Sequence, residues 1–86
     1  MTNHHQHASH PNVIARLKRA EGHLRKVIGM IEEGKPCLDL AQQLQAVESA
    51  VRNAKQVLIH DHLDHCLNAD GSETDREELR AITRYL

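Results

Sequence analysis

The stretch Cys37–Leu67, CLDLAQQLQAVESAVRNAKQVLIHDHLDHCL, decides the fold. Leu40, Leu44, Val47, Val51, Ala54 and Leu58 recur along it in alternating steps of four and three, with no Gly or Pro to interrupt them. That spacing predicts one amphipathic helix. At 1.5 Å per residue the helix is on the order of 40 Å long. Shorter neighbours within the same 86-residue chain cannot cover it. The pattern therefore calls for a second copy packed as an antiparallel bundle.

Upstream, Gly34-Lys35-Pro36 is a stop signal. Before it, Val13, Ile14, Leu17, Ala20, Leu24, Val27, Ile28 and Ile31 carry the same helical period, with Asn12 as the expected N-cap. Gly22 and Gly29 inside this segment lower its helix propensity, which points to close packing at those positions. Residues 1–11, MTNHHQHASHP, read as a flexible histidine-rich arm, and residues 12–86 as a single helical domain. Downstream, Asn68–Ser72 is a loop, and Ser72 or Thr74 is placed to cap a short last helix bearing Leu79, Ile82 and Leu86. The expected class is all-α, with a three-helix protomer.

Composition agrees with an oligomer. The chain has no Trp, no Phe and a single tyrosine, Tyr85, so the side chains that bury most area are missing. Net charge is −1, but it is unevenly placed. Arg16, Lys18, Arg19, Arg25, Lys26 and Lys35 make the front basic, whereas Asp61, Asp64, Asp70, Glu73, Asp75, Glu77 and Glu78 make the back acidic. No apolar run is long enough for a membrane span or a signal peptide. The expected location is the cytoplasm, where Cys37 and Cys66 stay reduced.

The chemistry gathers in HDHLDHC, His60–Cys66. His62 and Cys66 are four residues apart and share a helix face, so an imidazole and a thiolate can meet on one ion. His60, Asp61 and Asp64 point elsewhere, and His65 is a reserve or outer partner. Cys37 lies 25 residues before His62, about 37 Å away along one straight helix. In an antiparallel dimer, however, Cys37 of one protomer reaches His62 and Cys66 of its partner. A mixed thiolate and imidazole set excludes magnesium and calcium and suits copper(I), nickel, cobalt or zinc. Nothing resembles an oxyanion-hole loop or a phosphate cradle, so no enzyme and no small-molecule substrate are expected.

With these residues in place the chain resembles the CsoR/RcnR family of metal-sensing repressors. The likeness runs from Val13 to Leu86 and rests on three stretches. They are RLKRAEGHL at Arg16–Leu24, Cys37 followed by QQLQAV at Gln42–Val47, and HDHLDHC at His60–Cys66. It implies an antiparallel-bundle dimer, a disc-shaped tetramer, and binding of operator DNA in the metal-free state. Metal then releases the DNA and derepresses an efflux gene. The family's three ligands fall on Cys37, His62 and Cys66. A fourth ligand, as in some nickel sensors, falls on His5, with His4 and His7 as alternatives. The family's outer glutamate falls on Glu78, and its DNA-contacting positions on Arg16 and Arg19, with Lys18 beside them.

Two departures bear on the metal. Pro36 stands where copper sensors carry a tyrosine, and the histidine arm supplies what nickel(II) needs beyond three ligands. The resemblance therefore favours nickel or cobalt, with copper(I) as the alternative. A metal-binding helical protein with no DNA role is the reading from outside the family.

Overall fold

The structure is a computed structural model that describes residues 10–68 and 73–86, with side chains described for 10–64 and 76–86. It contains α1 (His10–Glu32), α2 (Cys37–Asn68) and α3 (Glu73–Ile82), followed by a 3₁₀ turn at Thr83–Tyr85. No strand occurs among the described residues. The arm, residues 1–9, and most of the 68–72 loop lie outside the described residues.

The long helix runs unbroken, as the alternating steps of four and three require, and extends one residue past the expected end. Its start is fixed by Pro36, whose carbonyl accepts the Leu40 amide at 3.1 Å, so Cys37 is the first helical residue. Between α1 and α2 the chain turns through a Schellman motif. Lys35 N–H donates to Met30 O and Gly34 N–H to Ile31 O, both at 3.0 Å. Gly34 occupies the left-handed position with φ +76°. GKP thus ends one helix and sets up the next.

Three local expectations are corrected. The first helix begins at His10, two residues before Asn12. Pro11 fits inside the first turn because the N–H it lacks would have had no intrahelical partner there. Asn12 is therefore helical, and its Oδ1 accepts a 2.8 Å hydrogen bond from Arg16 Nε one turn later. Thr74 is likewise inside α3, which starts at Glu73, so it is not the cap. Gly22 and Gly29 do not mark close packing within the chain, since a Cβ at either would meet nothing within 4 Å.

The hairpin of α1 and α2 is held by a narrow seam. Val13, Ala20 and Val27, seven residues apart, are buried on α1, and Val47, Ala54 and Ile59 on α2. Alanines at Ala20 and Ala54 let the helices approach closely. His23 Nε2 and Gln43 Oε1, 2.6 Å apart, tie the two helices across the seam. α3 folds onto the end of α2 and, among the described residues, makes no packing with α1.

The consequence is a flat body of 54 × 29 × 15 Å. A thickness of 15 Å is about one helix with its side chains. Domains bury their cores between two layers, and this chain supplies one. The apolar stripe of α1 is therefore only partly covered: Leu17, Leu24, Ile28 and Ile31 remain exposed, as do Leu44 and Val51 on α2.

Candidate metal centre and nucleic-acid face

Cys37 is the first residue of α2, is exposed, and is a free thiol. His62 lies near the other end of the same helix and is buried, with 8% of its surface exposed. Cys66 follows one turn later on α2; its side chain and that of His65 lie outside the described set, as do His4, His5 and His7. Among the described residues, no three His, Cys, Asp or Glu side chains of one chain converge as metal ligands. The donor types fit a thiophilic or borderline ion, but one chain places Cys37 and His62 at opposite ends of a helix.

The helix wheel relates those ends. At about 100° per residue, Cys37, Leu44, Val51 and His62 fall within roughly 60° of one another around α2. Leu44 and Val51 on that face are exposed apolar residues, at 43% and 45%. Cys37 and His62 therefore share the side of α2 that carries the exposed Leu44 and Val51, although His62 itself is buried.

α3 positions one further group. Its Glu78 Oε1 stands 3.9 Å from His62 Nε2. That is beyond direct hydrogen-bond range, but close enough for a carboxylate to orient an imidazole once the ring nitrogen carries a proton. The structure thus brings together His62 and Glu78. Of the bystanders, His60 and Asp64 are exposed and Asp61 is half-buried.

On the opposite flank, Arg16 and Arg19 line one groove, about 270 Å³ in volume, with Ala20, His23, Ala50 and Asn53. Lys18 does not line it, because it lies about 200° around α1 from Arg16. Sequence reasoning missed His23 and Asn53. The first carried a local signal, since residues 16, 19 and 23 are spaced to share one face of a helix. Asn53 carried none, because its place depends on how α1 registers against α2.

Comparison with known proteins decides the family. Residues 9–86 match the model of the metal-sensitive transcriptional repressors. The chain belongs to this family. Its members are transcriptional repressors rather than enzymes. The copper-sensing transcriptional repressor CsoR of Bacillus subtilis (strain 168) is 31% identical over 88 residues, covering 96% of this chain and 87% of that protein. The copper-sensing transcriptional repressor RicR of Mycobacterium tuberculosis (strain ATCC 25618 / H37Rv) is 42% identical over 62 residues, 72% of this chain and 65% of RicR. CsoR of Mycobacterium ulcerans (strain Agy99) is 44% identical over 54 residues, 63% of this chain, and the match spans about half, 46%, of that protein's length. Among solved structures, the nickel-responsive transcriptional regulator InrS superposes with a TM-score of 0.80 at 31% identity, over 98% of this chain and 100% of InrS. No described helix is long and apolar enough to cross a membrane.

Proposed function

We propose that this chain is a metal-responsive repressor that holds operator DNA when metal-free and releases it on binding nickel or cobalt, freeing an efflux gene for expression. The observation that carries the reading is the shared face of α2. The residues that need a second layer, Leu44 and Val51, and the residues that need further ligands, Cys37 and His62, lie together.

A two-fold antiparallel pairing of α2 centred near Val51 satisfies both needs at once. It covers the apolar face and sets Cys37 of one protomer beside His62 and Cys66 of its partner. A pair of such dimers, using the exposed α1 stripe, gives the tetramer. Cys37 of one protomer with His62 and Cys66 of its partner would hold the metal, which would supply a fixed positive charge between the two helix ends. His62 would link that junction to α3 electrostatically, since the Glu78 carboxylate stands 3.9 Å from its Nε2. Arg16 and Arg19 hold DNA phosphates, and four copies of that patch in a tetramer offset the small net charge of the chain.

The choice of metal rests on donor chemistry. Histidines of the arm, His5 first and then His4 or His7, extend a three-ligand site to the four or more that nickel(II) prefers. Copper(I) is the second reading, favoured by the copper-sensing relatives in Bacillus and Mycobacterium; the InrS likeness favours nickel.

Fluorescence anisotropy on the duplex upstream of the protein's own gene tests the proposal. The metal-free protein is expected to bind, and one equivalent of nickel or cobalt per protomer to weaken binding at least tenfold. Binding that ignores nickel, cobalt and copper(I) alike would leave only the metal-binding protein with no DNA role. Release by copper(I) alone would assign the copper reading. Light scattering on the same samples is expected to give a tetramer, and a monomer would remove the shared site.

A further inference from the structure

We infer that Glu48 and Lys55 of α2 form a self-complementary charge pair that selects how two copies of this chain meet. Glu48 of one copy pairs with Lys55 of a second copy, twice across a two-fold axis, and fixes the antiparallel register. The inference deepens the shared-site reading above and rests on its pairing of α2 helices. Both side chains are exposed. They stand seven residues apart, so they occupy one helix face two turns from each other. About 10 Å of helix rise separates them, too far for an ion pair within one chain. Around the axis, Lys55 lines up with Cys37 and Glu48 lies roughly 20° beyond it. That is the edge of the Leu44–Val51 stripe away from the buried Val47 and Ala54. Charged residues flanking an apolar seam between helices set partner choice and orientation.

The spacing names the partners. Eleven residues separate Cys37 from Glu48, and eleven separate Lys55 from Cys66. The two-fold that sets Cys37 opposite the partner's Cys66 therefore sets Glu48 opposite the partner's Lys55, on the same flank of the seam. The apolar residues alone do not make this choice. Leu44, Val51 and Leu58 repeat every seven residues, so a slip by one heptad offers a similar stripe. The charges reject each slip. Sliding one way sets Glu48 against the partner's Glu48, and sliding the other way sets Lys55 against the partner's Lys55. A parallel pairing in register does both. Ion pairs at a solvated edge add little strength, but like charges in the wrong register act as a repulsive selector. A slip of one heptad also moves Cys37 about 10 Å from Cys66, beyond the reach of one ion. Arg52, one turn after Glu48, is the competing partner within the chain.

Charge reversal combined with mixing separates the two arrangements. Glu48→Lys alone, or Lys55→Glu alone, opposes like charges at both contacts across the axis. Neither chain can repair itself, yet a mixed dimer of the two variants opposes unlike charges at both contacts. The double variant Glu48→Lys with Lys55→Glu restores unlike charges in the reversed sense. Circular dichroism first establishes wild-type helix content in every sample. Subunit affinity is then read from the concentration dependence of the denaturant midpoint, at low and high salt. Equilibrium dialysis gives nickel stoichiometry on the same samples.

Each single variant is expected to lose about tenfold in subunit affinity at low salt, with a smaller loss at high salt. The equimolar mixture and the double variant are expected to return to within about threefold of the wild type. Wild-type affinity in both single variants would overturn the inference. Losses that mixing does not repair would also overturn it, because Glu48 and Lys55 then act within their own chain. The α2 pairing survives both results, since the wild type still dimerises. Repair by mixing in assemblies that bind no nickel would keep the charge pair and remove the shared metal site. A wild type that stays monomeric at every concentration would remove both.

Discussion

A mixing experiment tests whether the metal ligands come from two chains. Cys37 and His62 are separated by 25 residues of continuous helix, or about 37 Å, so they cannot meet within one protomer while α2 stays straight. Two defective proteins make use of this. The first carries Cys37→Ala, and the second carries His62→Ala with Cys66→Ala. Each alone lacks ligands at every site and is expected to bind no nickel tightly. In a two-fold mixed dimer, one site combines the two defects and is lost. The other joins the intact Cys37 of the second protein to the intact His62 and Cys66 of the first.

Unfolding and refolding the two proteins together at equal concentration lets subunits assort at random. Half of the dimers are then mixed, each with one intact site of two, so nickel stoichiometry recovers to about a quarter of the wild-type value. Equilibrium dialysis reads the stoichiometry, and the thiolate-to-nickel absorption band reports that sulfur is bound. Recovery near zero after verified subunit exchange would refute the shared site, because ligands within one chain gain nothing from mixing. Recovery well above a quarter would show that one of the mutated residues is not a ligand.

Three further outcomes follow from individual residues. Val27→Ala empties a fully buried position of the α1–α2 seam and is expected to cost about 2 kcal/mol, read by denaturant unfolding at fixed protomer concentration; a change under about 0.5 kcal/mol would mean the site collapses without penalty. Gly34→Ala meets no neighbouring atom, so its cost is the left-handed φ of +76° alone, about 1 kcal/mol, seen as a lower thermal midpoint with metal affinity unchanged. Glu78→Gln removes the charge 3.9 Å from His62 Nε2; metal affinity is expected to fall only a few-fold while the metal-induced loss of DNA affinity shrinks about tenfold, and unchanged coupling would remove Glu78 from the switch.

The three helices were legible in the sequence because each carries its apolar residues at helical spacing and because GKP combines a glycine suited to the left-handed position with a following proline. Helix starts were harder. Asn12 has the side chain of a cap, yet Pro11 tolerates the first turn and the helix begins earlier, at His10. Thr74 failed as a cap for the same reason: a capping side chain is necessary for the motif but does not fix its position. Gly22 and Gly29 suggested close packing, and the single chain leaves both open. Glu78 was named from family resemblance alone, and its approach to His62 within 3.9 Å was not legible, since α3 docks by contacts distant in sequence. The groove residues His23 and Asn53 were illegible together because their meeting is set by the stagger of two antiparallel helices, which no local pattern records.

The position of Cys37 at the very start of α2 has a consequence for how such a sensor behaves as it is being made. On the proposed assignment, a ligand set divided between the two ends of one rod is incomplete in a solitary chain, however much metal surrounds it. A newly synthesised copy with such a site would be blind until it met another, and its sensitivity would rise with its own abundance. The dose that the cell reads would then depend on two concentrations, metal and protein, and the gene's own expression level would become part of the calibration.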